Sequence, residues 1–196
     1  RTSAWSEVAS WTMGVMDAAE WACAAWIGLD GGAVTTHLER GQWVWTHEQP
    51  EPPGVRWFRR VIEVPAQAGP VNTARILAAA DNESEIFVNG VKVGRTGWFR
   101  VARRFDVTPH LRVGTNIIVA RVENVGQVPN PAGWLAVLEM EHESGQRWSI
   151  ETDGDWQCST SETANGTSSW GAVRVIGPPG RPPWGPVAIE SERRQP

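Results

Sequence analysis

Residues 74–94, ARILAAADNESEIFVNGVKVG, constrain the fold more than any other stretch. The first half is an apolar run of strand length. The second half, EIFVNGVKV, alternates and turns at Asn89-Gly90, a strong hairpin signal because both central residues of a type I′ turn need positive φ. Between the halves lies Ala80-Asp81-Asn82-Glu83, a corner of oxygen-bearing side chains at the end of an expected buried strand. Loops held by a rigid sheet are where binding residues commonly sit. The alternative is an Asx turn, in which Asp81 and Asn82 bond only their own backbone.

The rest of the chain repeats short β patterns. Gln42–Trp45 reads as a strand and 49–54, with three prolines, as a loop. Residues 55–65 alternate with Val55, Trp57, Arg59, Val61 and Glu63 on one side, and neither side is cleanly apolar. Gly94 to Trp98 reads as a loop. Strands follow over 101–107 and 116–122, then a loop to Ala132, a hairpin over 133–152 and last strands over 170–175 and 186–189. Spacing of this kind with hardly any helix predicts an all-β fold, an antiparallel β-sandwich or jelly roll. At 196 residues the chain suits one domain with a small appendage. Residues 1–28 form a lead-in expected to pack on the sandwich, with a capping box at Asp17 and Glu20. Residues 29–190 form the sandwich, and 191–196 a disordered tail.

Composition excludes several classes. A net charge of -4 gives no electrostatic case for nucleic acid or an anionic membrane surface. No apolar run reaches membrane-spanning length. Arg1 in place of Met fits a mature product or a piece of a longer one. Cys23 and Cys158 read as buried thiols that pair only if the fold joins them. The aromatic inventory is unusual: 13 Trp, 4 Phe and no Tyr. Trp anchors cores, and when exposed it stacks on flat ligands, including the C–H faces of sugars. Trp43, Trp45, Trp57 and Trp148 lie inside strands and read as core.

Five motifs occur together, WVWTHEQPEPPGVRWFRRVIEVP, AADNESEIFVNGVKVG, RFDVTPHLRVGTNIIVARVEN, PAGWLAVLEM and ETDGDW, followed by Pro183-Trp184-Gly185. In this order they resemble the N-terminal β-sandwich modules of bacterial α-L-rhamnosidases, with a more distant similarity to the sugar-binding domain of glycoside hydrolase family 2. The resemblance covers nearly the whole chain and implies a galactose-binding-like jelly roll. It also implies a family 67 type of carbohydrate-binding module that takes L-rhamnose through a calcium ion. On that likeness Asp81, Asn82 and Asn130 hold the metal and sugar hydroxyls. Calcium wants six to eight oxygens, which carboxylate, amide and carbonyl groups supply. Trp98, after a glycine loop, reads as a stacking platform, and Trp134, after Gly133, as a second flank of the site; core packing is the alternative for both. Asn124, ending a strong strand, reads as structural.

A chain of this size has no room for the catalytic barrel of a rhamnosidase, so the expected function is non-catalytic. The module would tether a catalytic domain in cis to a polysaccharide, in a secreted or periplasmic setting. A ligand-free accessory domain and a small glycan-active enzyme are the alternatives. The enzyme reading needs two carboxylates facing each other across a bond. Asp153 and Asp155 straddle one glycine and read instead as turn residues, and Asp106 as the cap of the turn after it. His37, His47, His110 and His142 read as surface residues. Arg59, Arg60, Arg103 and Arg104 read as solvated or paired with acids.

Overall fold

The computed structural model describes residues 37–161 and 169–190. The lead-in with its capping box, Cys23 and the tail lie outside the described residues. Thirteen strands run in chain order: β1 Trp43–Trp45, β2 Gly54–Val64, β3 Val71–Asp81, β4 Glu83–Val88, β5 Val91–Thr96, β6 Val101–Asp106, β7 Gly114–Asn124, β8 Gly133–His142, β9 Arg147–Glu151, β10 Gln157–Ser159, β11 Gly171–Ala172, β12 Arg174–Gly177 and β13 Ala188–Ile189. They form a seven-stranded sheet, β12-β1-β8-β3-β6-β13 with β9 also on β8, and a six-stranded sheet, β11-β10-β2-β7-β4-β5. Only β13 pairs in parallel, on β6. The fold is an all-β sandwich.

Alternation along the strands makes the main core. Phe58, Ile62 and Val64 of β2 and Ile118, Ala120 and Val122 of β7 meet Ala74, Ile76, Ala78 and Ala80 of β3 and Trp134, Ala136 and Leu138 of β8. A second cluster covers the opposite face of the seven-stranded sheet. There Leu77, Ala79, Leu135 and Val137 lie under Trp43 and Trp184. Strands β3 and β8 are therefore buried on both faces, which is why residues 74–80 read as a continuous apolar run rather than an alternating one.

The hairpin forms as its sequence dictates. Asn89 and Gly90 take φ of 50° and 83°, the two left-handed positions of a type I′ turn. The Asn89 amide also donates to His110 O and Asn116 Oδ1, each at 2.8 Å, and fastens the turn to its neighbours.

Three expectations need correction, and one strand was not foreseen. Strand β5 continues through Gly94 to Thr96. Gly94 is a packing glycine, since a Cβ there would lie 2.2 Å from the Phe105 ring. Strand β10 carries no readable pattern in its three residues. Trp57 is half-buried on the outer face of the six-stranded sheet, on the odd side of β2, while the even side enters the core. His142 is 1% exposed, with Nδ1 3.1 Å from Gly69 O. The thiol of Cys158 is free and buried, and burial pushes it up from its ordinary pKa.

Trp134 is wholly buried between Phe58, centroids 5.8 Å apart, and Trp156, 4.7 Å. Trp134→Ala should cost about 3–5 kcal/mol, read from urea unfolding. An unchanged midpoint would show that the indole carries no packing.

Candidate functional site

The polar corner sits where β3 ends and the chain crosses from one sheet to the other. Residues 77 and 79 of β3 face the second cluster, so Asp81 continues that face. Its carboxylate is 7% exposed, and Oδ2 accepts from Trp184 Nε1 at 2.8 Å. Burial raises the Asp81 pKa above its ordinary value, and the indole hydrogen bond partly opposes the shift. Trp184 also stacks on Trp43 with centroids 4.7 Å apart. Across the ladder from Asp81 lies Gly133. A Cβ there would lie 2.9 Å from Trp43 and 3.0 Å from Trp184, so the glycine makes room for the stacked pair.

Asn82 lies between the last residue of β3 and the first of β4. Its N–H donates to Glu123 O at 3.0 Å, and its Oδ1 accepts from Val125 N–H at 2.7 Å. The described bonds of the two side chains therefore run to groups 103 and 43 residues away. The self-contained Asx turn is overturned, and the corner is a junction of three distant segments.

Val125 opens the loop that holds Asn130. The Asn130 amide nitrogen lies 3.4 Å from Val125 O and 3.1 Å from Val128 O, and its backbone N–H donates to Glu51 O at 3.1 Å. Asn124, 1% exposed, donates Nδ2 to the carbonyls of Glu51, Pro52 and Asn130 at 3.3–3.4 Å. Its Oδ1 is buried without a partner. The rim is apolar: Val125 is 53% and Val128 68% exposed.

Trp98 lies at the same end. The Ser84–Thr96 rung, with hydroxyls 2.7 Å apart, is the last of the β4–β5 ladder before Asn82 on one strand and Trp98 on the other. Trp98 is 53% exposed and meets Phe99 edge-on at 6.1 Å, while Phe99 packs on the second cluster. Asn82 and Asn130 are thus joined through Val125, and Trp98 flanks the same end of the sandwich. Trp134 is not part of this surface: wholly buried in the main core, its indole offers no face to a ligand. Trp184 escaped the sequence reading as a site residue. Its only signal was the Pro183-Trp184-Gly185 motif, which does not reveal a partner 103 residues away.

The oxygens at this end are uncharged, three of them already accept hydrogen bonds, and among the described residues no three His, Cys, Asp or Glu side chains are grouped as a metal site. Asn82 Oδ1, the Val125 and Val128 carbonyls and the orphaned Asn124 Oδ1 are all neutral oxygens of the kind calcium takes. The Asn130 NH2 occupies the electropositive position among the two carbonyls. Asp81 supplies a buried negative charge one residue from Asn82, although its carboxylate is turned to Trp184.

Three acids weighed in the sequence are otherwise engaged. Asp153 and Asp155 both face Arg60, at 3.3 and 2.9 Å. Asp106 accepts from the backbone and hydroxyl of Thr108 at 3.0 and 2.6 Å, bonds that hold its carboxyl below the usual range.

No protein-family model matches the chain. An α-L-rhamnosidase of Streptomyces avermitilis is 32% identical over 205 aligned residues, covering 95% of this chain and 19% of the relative. The crystal structure of that organism's α-L-rhamnosidase complexed with L-rhamnose superposes with a TM-score of 0.67, over 78% of this chain and 16% of that one. A lectin from Pleurotus ostreatus, solved with GalNAc, is 25% identical with a TM-score of 0.68, covering 78% of this chain and 48% of the lectin. The chain spans about a fifth of the length of its rhamnosidase relative. These likenesses support a β-sandwich domain of the kind built into α-L-rhamnosidases, and they fit a carbohydrate-binding or accessory domain. No helix among the described residues is long and apolar enough to cross a membrane.

Trp184→Phe keeps an aromatic ring on Trp43 but leaves the buried Asp81 carboxylate without its donor. The expected loss is about 1–3 kcal/mol, measured by denaturant unfolding. A midpoint equal to that of the native chain would contradict the role assigned to the indole.

Proposed function

We propose that the chain is a non-catalytic carbohydrate-binding module that recognises a sugar at the Asn82–Asn130 end of the sandwich, with L-rhamnose the leading candidate. The observation that carries this is the placement of an exposed indole, Trp98, at the same end of the sandwich as two side-chain amides, Asn82 and Asn130, that are tied through Val125. An indole face takes the C–H side of a pyranose, and the amides take its hydroxyls. The rhamnose-bound rhamnosidase and the GalNAc-bound lectin among similar structures support a sugar ligand.

Calcium belongs to this reading. Asn82, Asn124, Asn130 and the carbonyls of the 125–128 segment would hold it, with Asp81 lending charge; when bound it supplies open positions for vicinal hydroxyls. The protein's own groups do the rest. Trp98 orients the ring, Val125 and Val128 exclude water from the rim, and the Trp184–Asp81 bond fixes the strand end that presents Asn82. In its natural setting the module would hold a catalytic domain in cis near its polysaccharide, raising the local concentration. A secreted or periplasmic location goes with that role. The carboxylates of Asp153 and Asp155 already face Arg60, which supports a module without hydrolytic activity of its own.

Isothermal titration with L-rhamnose and a panel of neutral sugars, in calcium and in chelator, tests this. The expected result is saturable heat in calcium, lost in chelator, and weakened about tenfold (~1.4 kcal/mol) by Trp98→Ala. No heat with any sugar in calcium would overturn it.

A further inference from the structure

On the outer face of the six-stranded sheet the cations of the described residues are, with one exception, matched by acids. On that face Arg95 pairs with Glu83, Arg121 with Glu123 and Lys92 with Glu85, while Glu63 accepts from the Thr115 hydroxyl at 2.9 Å. Arg59 is the exception among the described residues. Its Nε and one Nη2 bond reach the neutral amide oxygen of Gln157, at 3.3 and 2.7 Å, and its guanidinium carbon lies 4.4 Å from the centroid of the Trp170 ring. The Nη1 end of the fork has no protein acceptor among the described residues. Two positions along the same strand, on the same face, stands the half-buried Trp57.

This is an unusual arrangement for a merely structural arginine. The guanidinium is held flat and pre-oriented by an amide and an indole, neither of which neutralises it. A planar, unneutralised fork matches a carboxylate. The surface around it is flat and partly apolar. One rung of the sheet carries Phe87, Val119, Arg59 and Gln157 side by side on β4, β7, β2 and β10, a span of about 14 Å at one strand spacing per step. A flat strip with indoles beside one fixed cation is complementary to a chain of rings bearing carboxylates. It is a poor match for a compact anion such as phosphate, which would gain nothing from the indoles.

From this geometry we infer that the outer face of the six-stranded sheet, centred on Trp57, Arg59 and Trp170, is a second binding site, for uronic-acid-bearing oligosaccharides. A sugar ring packs on the indole surface of Trp57 while its carboxylate meets the Nη1 side of Arg59, and Gln157 keeps the fork from rotating. The site lies on a sheet face, whereas the Asn82–Asn130 site lies at the sandwich end, and neither requires the other.

The test is binding of an oligogalacturonate by the whole chain, against its methyl-esterified form and against poly-L-glutamate. The native chain should bind the acidic oligomer, with affinity falling as salt rises, and should bind the ester at least tenfold more weakly. Arg59→Gln, a change on the sheet surface, should lose at least tenfold in affinity for the acidic oligomer while its unfolding midpoint and its titration with neutral sugars stay as in the native chain. Arg59→Lys, which keeps the charge and loses the fork, should fall in between. Failure of the native chain to bind the acidic oligomer at millimolar concentration would overturn the inference, as would equal affinity in Arg59→Gln. Equal binding of poly-L-glutamate would show an acidic peptide surface instead, and would overturn it too.

Discussion

The β3–β8 ladder is the constraint on which the site depends. It runs from Val71 opposite His142 to Asp81 opposite Gly133. Because both strands are covered on both faces, a slip of β3 by one residue would exchange its side chains between the two clusters and turn Asp81 into the main core. The ladder's last rung is also chemically particular. Gly133 has no Cβ, so the stacked Trp43–Trp184 pair can close over it. Trp184 then reaches Asp81. A buried carboxylate with a single neutral donor is a poor stabiliser, because desolvation of the charge offsets much of the hydrogen bond. Asp81 closes an otherwise apolar strand against the Trp184 indole of the second cluster.

From that rung the site is assembled by backbone. Asn82 receives the Val125 N–H, Asn130 holds the Val125 and Val128 carbonyls, and Asn124 collects three more carbonyls behind them. The loop after β7 is therefore built from amide side chains bonding to main chain. Such a network has little formal charge, and Trp98, Val125 and Val128 are the exposed apolar surface at this end. Rigid presentation lowers the ordering cost of binding.

Much of the fold was legible locally. The Asn89-Gly90 turn needs two residues at positive φ and has them. The strongly β-branched 116–122 run became the centre of the longest strand pairing, β7 on β2. The sandwich and the resemblance to rhamnosidase modules followed from such pieces taken in order. The site was legible only in part. Asn82, Asn130 and Trp98 were read as site residues, and the structure brings them to one end of the sandwich. Trp98 and Trp134 each follow a glycine, and sequence gave no means to separate them. Gly97 lies in a loop and Gly133 in a doubly covered strand, so one indole is exposed and the other is core. The Asp81–Trp184 bond spans 103 residues, and Trp57 alternates onto the solvent side of its strand because Phe58 takes the core side. Both facts are set by tertiary register, which local pattern does not carry.

The most direct measurement is nuclear magnetic resonance of the indole and side-chain amide groups during titration with L-rhamnose in calcium. The indole resonance of Trp98 and the amide pairs of Asn82 and Asn130 should move together and saturate at one concentration, while those of Trp43, Trp45 and Trp134 stay in place. Saturable shifts confined to other residues, or none at all in the presence of calcium, would contradict recognition at the sandwich end.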